Sequence, residues 1–109
     1  MPRRWGSSRS KFGNIRTVVD GIKFPSRREA RRYQQLALML EAKLIQDLRK
    51  QVRYQIVVNG YLICTYIADF VYLQDGKEIT EDCKGFRTPE YKLKKKLMFA
   101  CHGINIWET

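Results

Sequence analysis

Two acids and an amine are the residues of this chain whose types and spacing could do chemistry together. Asp69 ends an apolar run, Tyr66-Ile67-Ala68-Asp69-Phe70, and Asp82 follows thirteen residues later within Glu81-Asp82-Cys83-Lys84-Gly85. Side chains alternate along a strand, so Asp82 and Lys84 share a face with Thr80, while Ile79, Glu81 and Cys83 take the other. Two carboxylates on adjacent strands, with an amine two residues beyond the second, make a patch that suits a divalent cation. Mg2+ takes hard oxygen ligands and binds through one or two carboxylates, waters and a substrate phosphate; Mn2+ can substitute for it. Such an ion offsets the repulsion between Asp69 and Asp82, lowers the pKa of a bound water and polarises a phosphoryl oxygen. Lys84 beside it orients or deprotonates the water and stabilises charge in the transition state. Plainer explanations stand next to this one. Asp69 could be a turn residue at a strand end, and Asp82 with Lys84 a surface ion pair of little worth to stability. Glu81 replaces Asp82 only if the strand slips by one residue, which also removes Lys84 from the site.

The elements that must position these groups can be read along the chain. Thr17 to Phe24 form two β-prone runs around Asp20-Gly21, a type I′ hairpin signal. Ser26 followed by Glu29 has capping-box spacing and opens a helix with an inward face of Ala30, Tyr33, Ala37, Leu40 and Leu44, flanked by Leu36. Arg27, Arg28, Arg31 and Arg32 crowd its first turns, where the helix dipole disfavours cations, so they answer to a ligand or to neighbouring acids. Val52–Val58 and Tyr61–Leu73 are strands joined by Asn59-Gly60, and Gln74-Asp75-Gly76 turns into Glu78–Lys84. After a loop at Gly85–Pro89, Glu90–Cys101 reads as a helix with Leu93, Leu97 and Ala100 or Cys101 inward and Lys92, Lys95 and Lys96 outward. Gly103 ends that helix, and Ile104–Trp107 is a closing strand. The order implies an α/β or α+β fold, a central sheet with helices on both sides.

Composition restricts the partners. The chain has 109 residues, enough for one domain, and a net charge of +10. Half of that excess lies in the first sixteen residues, where Arg3, Arg4, Arg9, Lys11 and Arg16 stand among glycines and serines without an acid. Residues 1–11 are expected to be a flexible basic arm and 12–109 the single domain. The apolar runs are too short for a membrane span, no signal peptide is visible, and three scattered cysteines form neither a disulfide framework nor a zinc motif. A cytoplasmic protein in a reducing compartment is expected. Its positive field points to a polyanion, nucleic acid first, with arm and lysines on phosphates. His102 is the lone histidine, at a helix C-terminus where imidazolium is stabilised.

YIADF followed by EDCKG resembles the core of the PD-(D/E)xK nucleases, in which an Asp ends one strand and a (D/E)xK triplet lies on the next. The ordered set KFGN, VDGIKFPSRREARRY, YIADF, EDCKG and TPEYKLKKKL resembles small phage and prophage proteins assigned to that superfamily. It is also similar to phage endonuclease I-type Holliday-junction resolvases. The resemblance covers about residues 11–99. It implies a restriction-endonuclease-like core with a central mixed sheet flanked by helices. It also implies Asp69, Asp82 and the backbone carbonyl of Cys83 as ligands of Mg2+, Glu29 as an outer ligand or water-holder, and Lys84 as the catalytic lysine. Ala68 stands where the family has proline, a residue that shapes backbone and donates no ligand. For Glu29 the capping box is an alternative role.

The expected function is a Mg2+-dependent endonuclease acting on DNA phosphodiesters. It should select branched structure, such as a four-way junction, because the chain has few insertions for reading bases. Arg3, Arg4, Arg9, Lys11, Arg28, Lys92 and Lys95 are the expected backbone contacts. Symmetric cutting of two strands calls for a homodimer, with the N-terminal hairpin and arm as its elements. The competing expectations are a non-catalytic nucleic-acid-binding accessory protein and a nuclease that nicks duplex DNA or cuts RNA.

Overall fold

Three two-residue turns set the strands in place. Asp20-Gly21, Asn59-Gly60 and Asp75-Gly76 adopt positive φ at both positions, the left-handed pair that a type I′ turn requires. In this computed structural model, which describes residues 17–84 and 86–109, the turns join β1 (Thr17–Val19) to β2 (Ile22–Phe24), β3 (Gln46–Val58) to β4 (Tyr61–Gln74), and β4 to β5 (Lys77–Asp82). Helix α1 (Arg27–Glu41) follows the first hairpin, and α2 (Pro89–His102) leads to the short β6 (Trp107–Glu108). Arg3, Arg4, Arg9 and Lys11 of the expected arm lie outside the described residues.

The strands make a four-stranded sheet in the order β3-β4-β5-β6, with β1–β2 apart as a two-stranded sheet. All neighbours are antiparallel except the β5–β6 pair. The fold is therefore mixed α+β with a mixed sheet. Two apolar clusters hold it. Ile56, Tyr66, Ala68 and Val71 pack with Tyr91 and Met98 of α2 and with Ile106. Phe70 and Tyr72 pack with Phe24, Ile45 and the α1 residues Ala30 and Leu36. No helix among the described residues is long and apolar enough to cross a membrane.

Strand β4 changes phase at Asp69. In a regular strand Tyr66, Ala68, Phe70 and Tyr72 would all face one way, yet the first two belong to the α2 cluster and the last two to the α1 cluster. The β3–β4 register runs through Val52↔Ala68 and Lys50↔Phe70 with no pair between them at Gln51 and Asp69. Gln51 has φ 52. A positive φ in a non-glycine residue within a strand costs on the order of 1–3 kcal/mol, and such strain collects at functional sites.

The inward face of α1 is the expected one along its first turns but not at its end, and α2 is rotated from the sequence expectation. In α1, Ala30 and Leu36 are buried with Tyr33 against them, while Leu40 and Leu44 are exposed. The helix stops after Glu41 through Lys43 at φ 65, with the Leu44 N–H bonding back to the Met39 carbonyl, a left-handed stop that glycine usually supplies. In α2, Leu97 packs against the core as expected, but Leu93, Ala100 and Cys101 face outward. Tyr91 sets that rotation, because its ring is buried while its hydroxyl donates to Glu108 Oε2 at 2.8 Å. Gly103 closes α2 at φ 68, as the sequence indicates.

Candidate functional site

Alternation along β5 sends Glu81 and Asp82 to different surroundings. Glu81 is fully buried and receives Arg32 through both oxygens, Nε to Oε1 at 2.9 Å and Nη2 to Oε2 at 2.6 Å, together with the Tyr72 hydroxyl. Arg32 is thus the arginine of α1 that answers to an acid. This clamp fixes the register of β5 and excludes the slipped alternative in which Glu81 would take the place of Asp82.

Asp82, 1% exposed, lies toward α2. The Tyr66 hydroxyl donates to its Oδ2, and Lys84 Nζ stands 3.3 Å from its Oδ1. The lysine contact is an ion pair without hydrogen-bond geometry, so Oδ1 is a buried oxygen lacking a hydrogen-bond partner. Lys84 also lies over the Tyr91 ring, 4.6 Å from its centroid, a cation–π contact that restrains the amine. Asp69 accepts from the Cys83 N–H at 2.8 Å through Oδ2. The β4–β5 register ends at Phe70↔Glu81; one step further it would set Asp69 against Asp82, two like charges that oppose pairing.

Glu29 completes the cluster from the first turn of α1. Its N–H donates to Ser26 Oγ at 3.1 Å, so Ser26 caps the helix. The carboxylate, however, accepts from Gln51 Nε2 at 2.9 Å, and the same amide reaches Asp69 Oδ1 at 3.4 Å. Asp82 acts on both of the other acids, and Glu29 acts on Asp69. Burial first, then the charges of Asp82 and Glu29, push Asp69 up to about 8. Burial and Asp82 likewise raise Glu29, against the pull of Gln51, Lys84 and Lys50.

Gln51, Tyr66 and Tyr91 belong to this site and are absent from the sequence expectation. Counting back from the Val58↔Tyr61 pair would set Lys50 opposite Asp69. The irregularity between Ile56 and Val57 advances the register by one and places Gln51 there. The expected phosphate contacts are dispersed. Arg28 lines a cleft beside α1 with Arg31, Arg32, Gln35 and Thr109. Lys92 is exposed on α2, and Lys95 Nζ is held by Glu108 Oε2 at 3.1 Å. The Cys83 side chain turns to Thr109, Sγ to Oγ1 at 3.2 Å. His102 Nε2 lies 2.8 Å from the Gln55 carbonyl oxygen.

Among the described residues no three His, Cys, Asp or Glu side chains form a ready-made cage for a metal. A cation of the Mg2+ type does not require one, since it keeps waters and uses one or two carboxylates. The donors fit such an ion: a buried Asp82 oxygen without a hydrogen-bond partner and a neighbouring Asp69 whose ionisation is opposed by burial and by the charges of Asp82 and Glu29. Fold and site together define a mixed α+β protein with a carboxylate–lysine cluster where two strands part. The chain belongs to the family described as "Protein of unknown function (DUF1064)", whose model matches residues 9–107. No curated protein and no solved structure matches it.

Proposed function

We propose that this protein is a Mg2+-dependent endonuclease with a PD-(D/E)xK-type core, cutting DNA phosphodiesters at branched structures as a homodimer. The observation that carries the reading is the convergence of Glu29, Asp69, Asp82 and Lys84 from α1, β4 and the β5 end, with Asp82 Oδ1 buried, ion-paired to Lys84 and without a hydrogen-bond partner. Asp69 and Asp82 would hold the cation, with the Cys83 carbonyl beside them and Glu29 outside. When bound, it supplies positive charge that acidifies water and polarises the phosphoryl group.

The remaining work falls to side chains of this chain. Lys84, restrained by Asp82 and the Tyr91 ring, donates to the phosphoryl oxygens as negative charge builds there. Glu29 and Gln51 orient the attacking water. The water oxygen bonds to phosphorus as it sheds a proton to solvent, and the P–O3′ bond breaks with its electron pair leaving on O3′, which takes up a proton from solvent. Tyr66 fixes Asp82 by its hydroxyl, so one carboxylate oxygen is occupied and the other is left for the ligand. Connections among the described residues are short, the six residues 83–88 between β5 and α2 being among the longest. They offer little for reading base sequence, which favours recognition of DNA shape.

The test is cleavage of a synthetic four-way junction in Mg2+, with and without EDTA. Asp82→Asn and Lys84→Ala should each lose at least about a hundredfold in rate, the scale of a lost acid–base or charge-stabilising group. Undiminished cutting by both variants would dispose of the assigned site. Salt-sensitive junction binding with no product at any metal concentration would indicate a silent accessory protein instead.

A further inference from the structure

Beside the acid cluster, α2 and the end of the chain enclose a second cleft of about 480 Å3, within the range of ligand sites. Arg87, Lys92, Lys95 and Lys96 stand around it against a single acid, Glu108, and Phe99 forms part of its wall. Two features distinguish it from a solvated lysine face. Phe99 is 57% exposed among these lysines, an apolar area that neither core cluster uses. Glu108, moreover, is itself fastened. It accepts from Arg87 Nε at 2.8 Å and Nη2 at 2.6 Å, from the Tyr91 hydroxyl at 2.8 Å and from Lys95 Nζ at 3.1 Å. Arg87 first, then Tyr91 and Lys95, hold its carboxyl down at about 2. Glu108 therefore anchors two cations without cancelling the cleft, where four cations against one anion leave a net +3. Tyr91 ties this cleft to the acid cluster, since Lys84 lies over the ring whose hydroxyl bonds Glu108.

We infer that this cleft is a subsite for an unpaired nucleotide of single-stranded DNA, its base stacked on Phe99 and its flanking phosphates on Lys92 and Lys96. Cations that track the backbone beside an aromatic face that takes any base are the means by which proteins hold single strands. Duplex DNA presents phosphates to such a cleft but keeps its bases stacked on one another. An acidic peptide would engage the cations and leave the ring idle. The inference rests on the proposed function in taking DNA as the ligand, and it narrows the branched substrate to one with unpaired nucleotides beside the cut. It does not depend on hydrolysis.

Fluorescence anisotropy in EDTA tests it, with the full chain, a labelled oligothymidylate and a duplex of equal length. Phe99→Ala should weaken single-strand binding about tenfold or more, the scale of one base–aromatic stack. Its duplex affinity should stay within about twofold, and Phe99→Trp should restore single-strand binding. Lys96→Gln should weaken both ligands and lower the salt slope by about one. Phe99 lies outside both core clusters, so Phe99→Ala should keep the wild-type Tm. Phe99→Ala binding both ligands as tightly as wild type, or losing both alike, overturns the subsite. Phe99-dependent single-strand binding with no cleavage in Mg2+ supports the subsite and sinks the nuclease reading. Metal-dependent cleavage without any Phe99 effect does the reverse.

Discussion

Asp69→Asn should remove most of a pH dependence of stability that the wild-type chain carries in the absence of divalent cations. Burial, then the charges of Asp82 and Glu29, raise Asp69 from 3.8 to about 8, and Glu29 is raised in the same sense. Lys84 and Lys50 face the cluster and pull Glu29 the other way without reversing its shift. An acid whose folded pKa is raised adds stability that is fully present below the unfolded pKa and is lost as pH rises through the folded one. The window for Asp69 therefore runs from 3.8 to about 8. Other shifted acids act elsewhere. Glu108, lowered from 4.5 to about 2, adds stability above 4.5 that is lost as pH falls through about 2. The Cys83 thiol, raised by burial from 9.0 to about 12, acts only in alkali.

The size of the effect follows from the same shift. At about 1.4 kcal/mol per pKa unit the full rise bounds it near ~6 kcal/mol. Asp69 keeps part of its surface in water and holds the Cys83 N–H, so about 2–3 kcal/mol is expected after screening. For a domain of this size that is a fall in Tm of roughly 10–20 °C between about pH 5 and pH 8. Calorimetric melting in EDTA measures it. Asp69→Asn should flatten the profile, and Mg2+ should raise the wild-type Tm near pH 8 far more than near pH 5, because it competes with protons. A wild-type Tm that is level across this range, or an unchanged slope in Asp69→Asn, would refute the raised Asp69 and its origin in burial beside Asp82 and Glu29.

The fold makes two further predictions. Arg32→Ala leaves Glu81 buried without its counter-ion and should cost about 3–5 kcal/mol, read by urea unfolding; adding Glu81→Gln should recover a large part of that loss. Lys43→Gly relieves a left-handed φ of 65 at the exposed end of α1 and should stabilise by about 1 kcal/mol, seen as a higher urea midpoint at constant slope.

What the sequence made legible is what short-range chemistry fixes. The Asp-Gly and Asn-Gly pairs could hardly be anything but turns, because few other residues adopt left-handed φ twice in succession. Ser26 capping Glu29 follows from spacing alone and is seen in the structure; Lys84 does meet Asp82 as spacing implies, although β5 ends at Asp82 and the lysine lies just past it. Where α1 would stop facing the core, and which side of α2 meets the sheet, were not legible. Helical spacing marked Leu40, Leu44 and Leu93 as inward; α1 ends at Glu41 with Leu40 and Leu44 exposed, and in α2 the buried Tyr91, bonded to Glu108, takes the inward side instead of Leu93. Nor was Gln51, because an irregularity several residues away moves it opposite Asp69. The early start of β3 at Gln46 was hidden by its charges and by Asp47 and Gln51, both with positive φ.

The break at Asp69 connects these misses to the site. Had β4 continued its alternation and pairing, Asp69 and Asp82 would sit across a ladder step as facing carboxylates, an arrangement a sheet avoids. Pairing stops at Phe70↔Glu81 instead, and the Cys83 N–H bonds the Asp69 carboxylate. The ladder is spent at the place where the acids meet, and Gln51 across the strand carries a strained φ while its amide steadies both Glu29 and Asp69. A sheet under selection for stability alone would carry an apolar or hydroxyl-bearing pair there and run on regularly. Strain, like charges and a buried oxygen without a hydrogen-bond partner thus meet at one point, where Lys84 is the positive charge that the chain itself brings to Asp82.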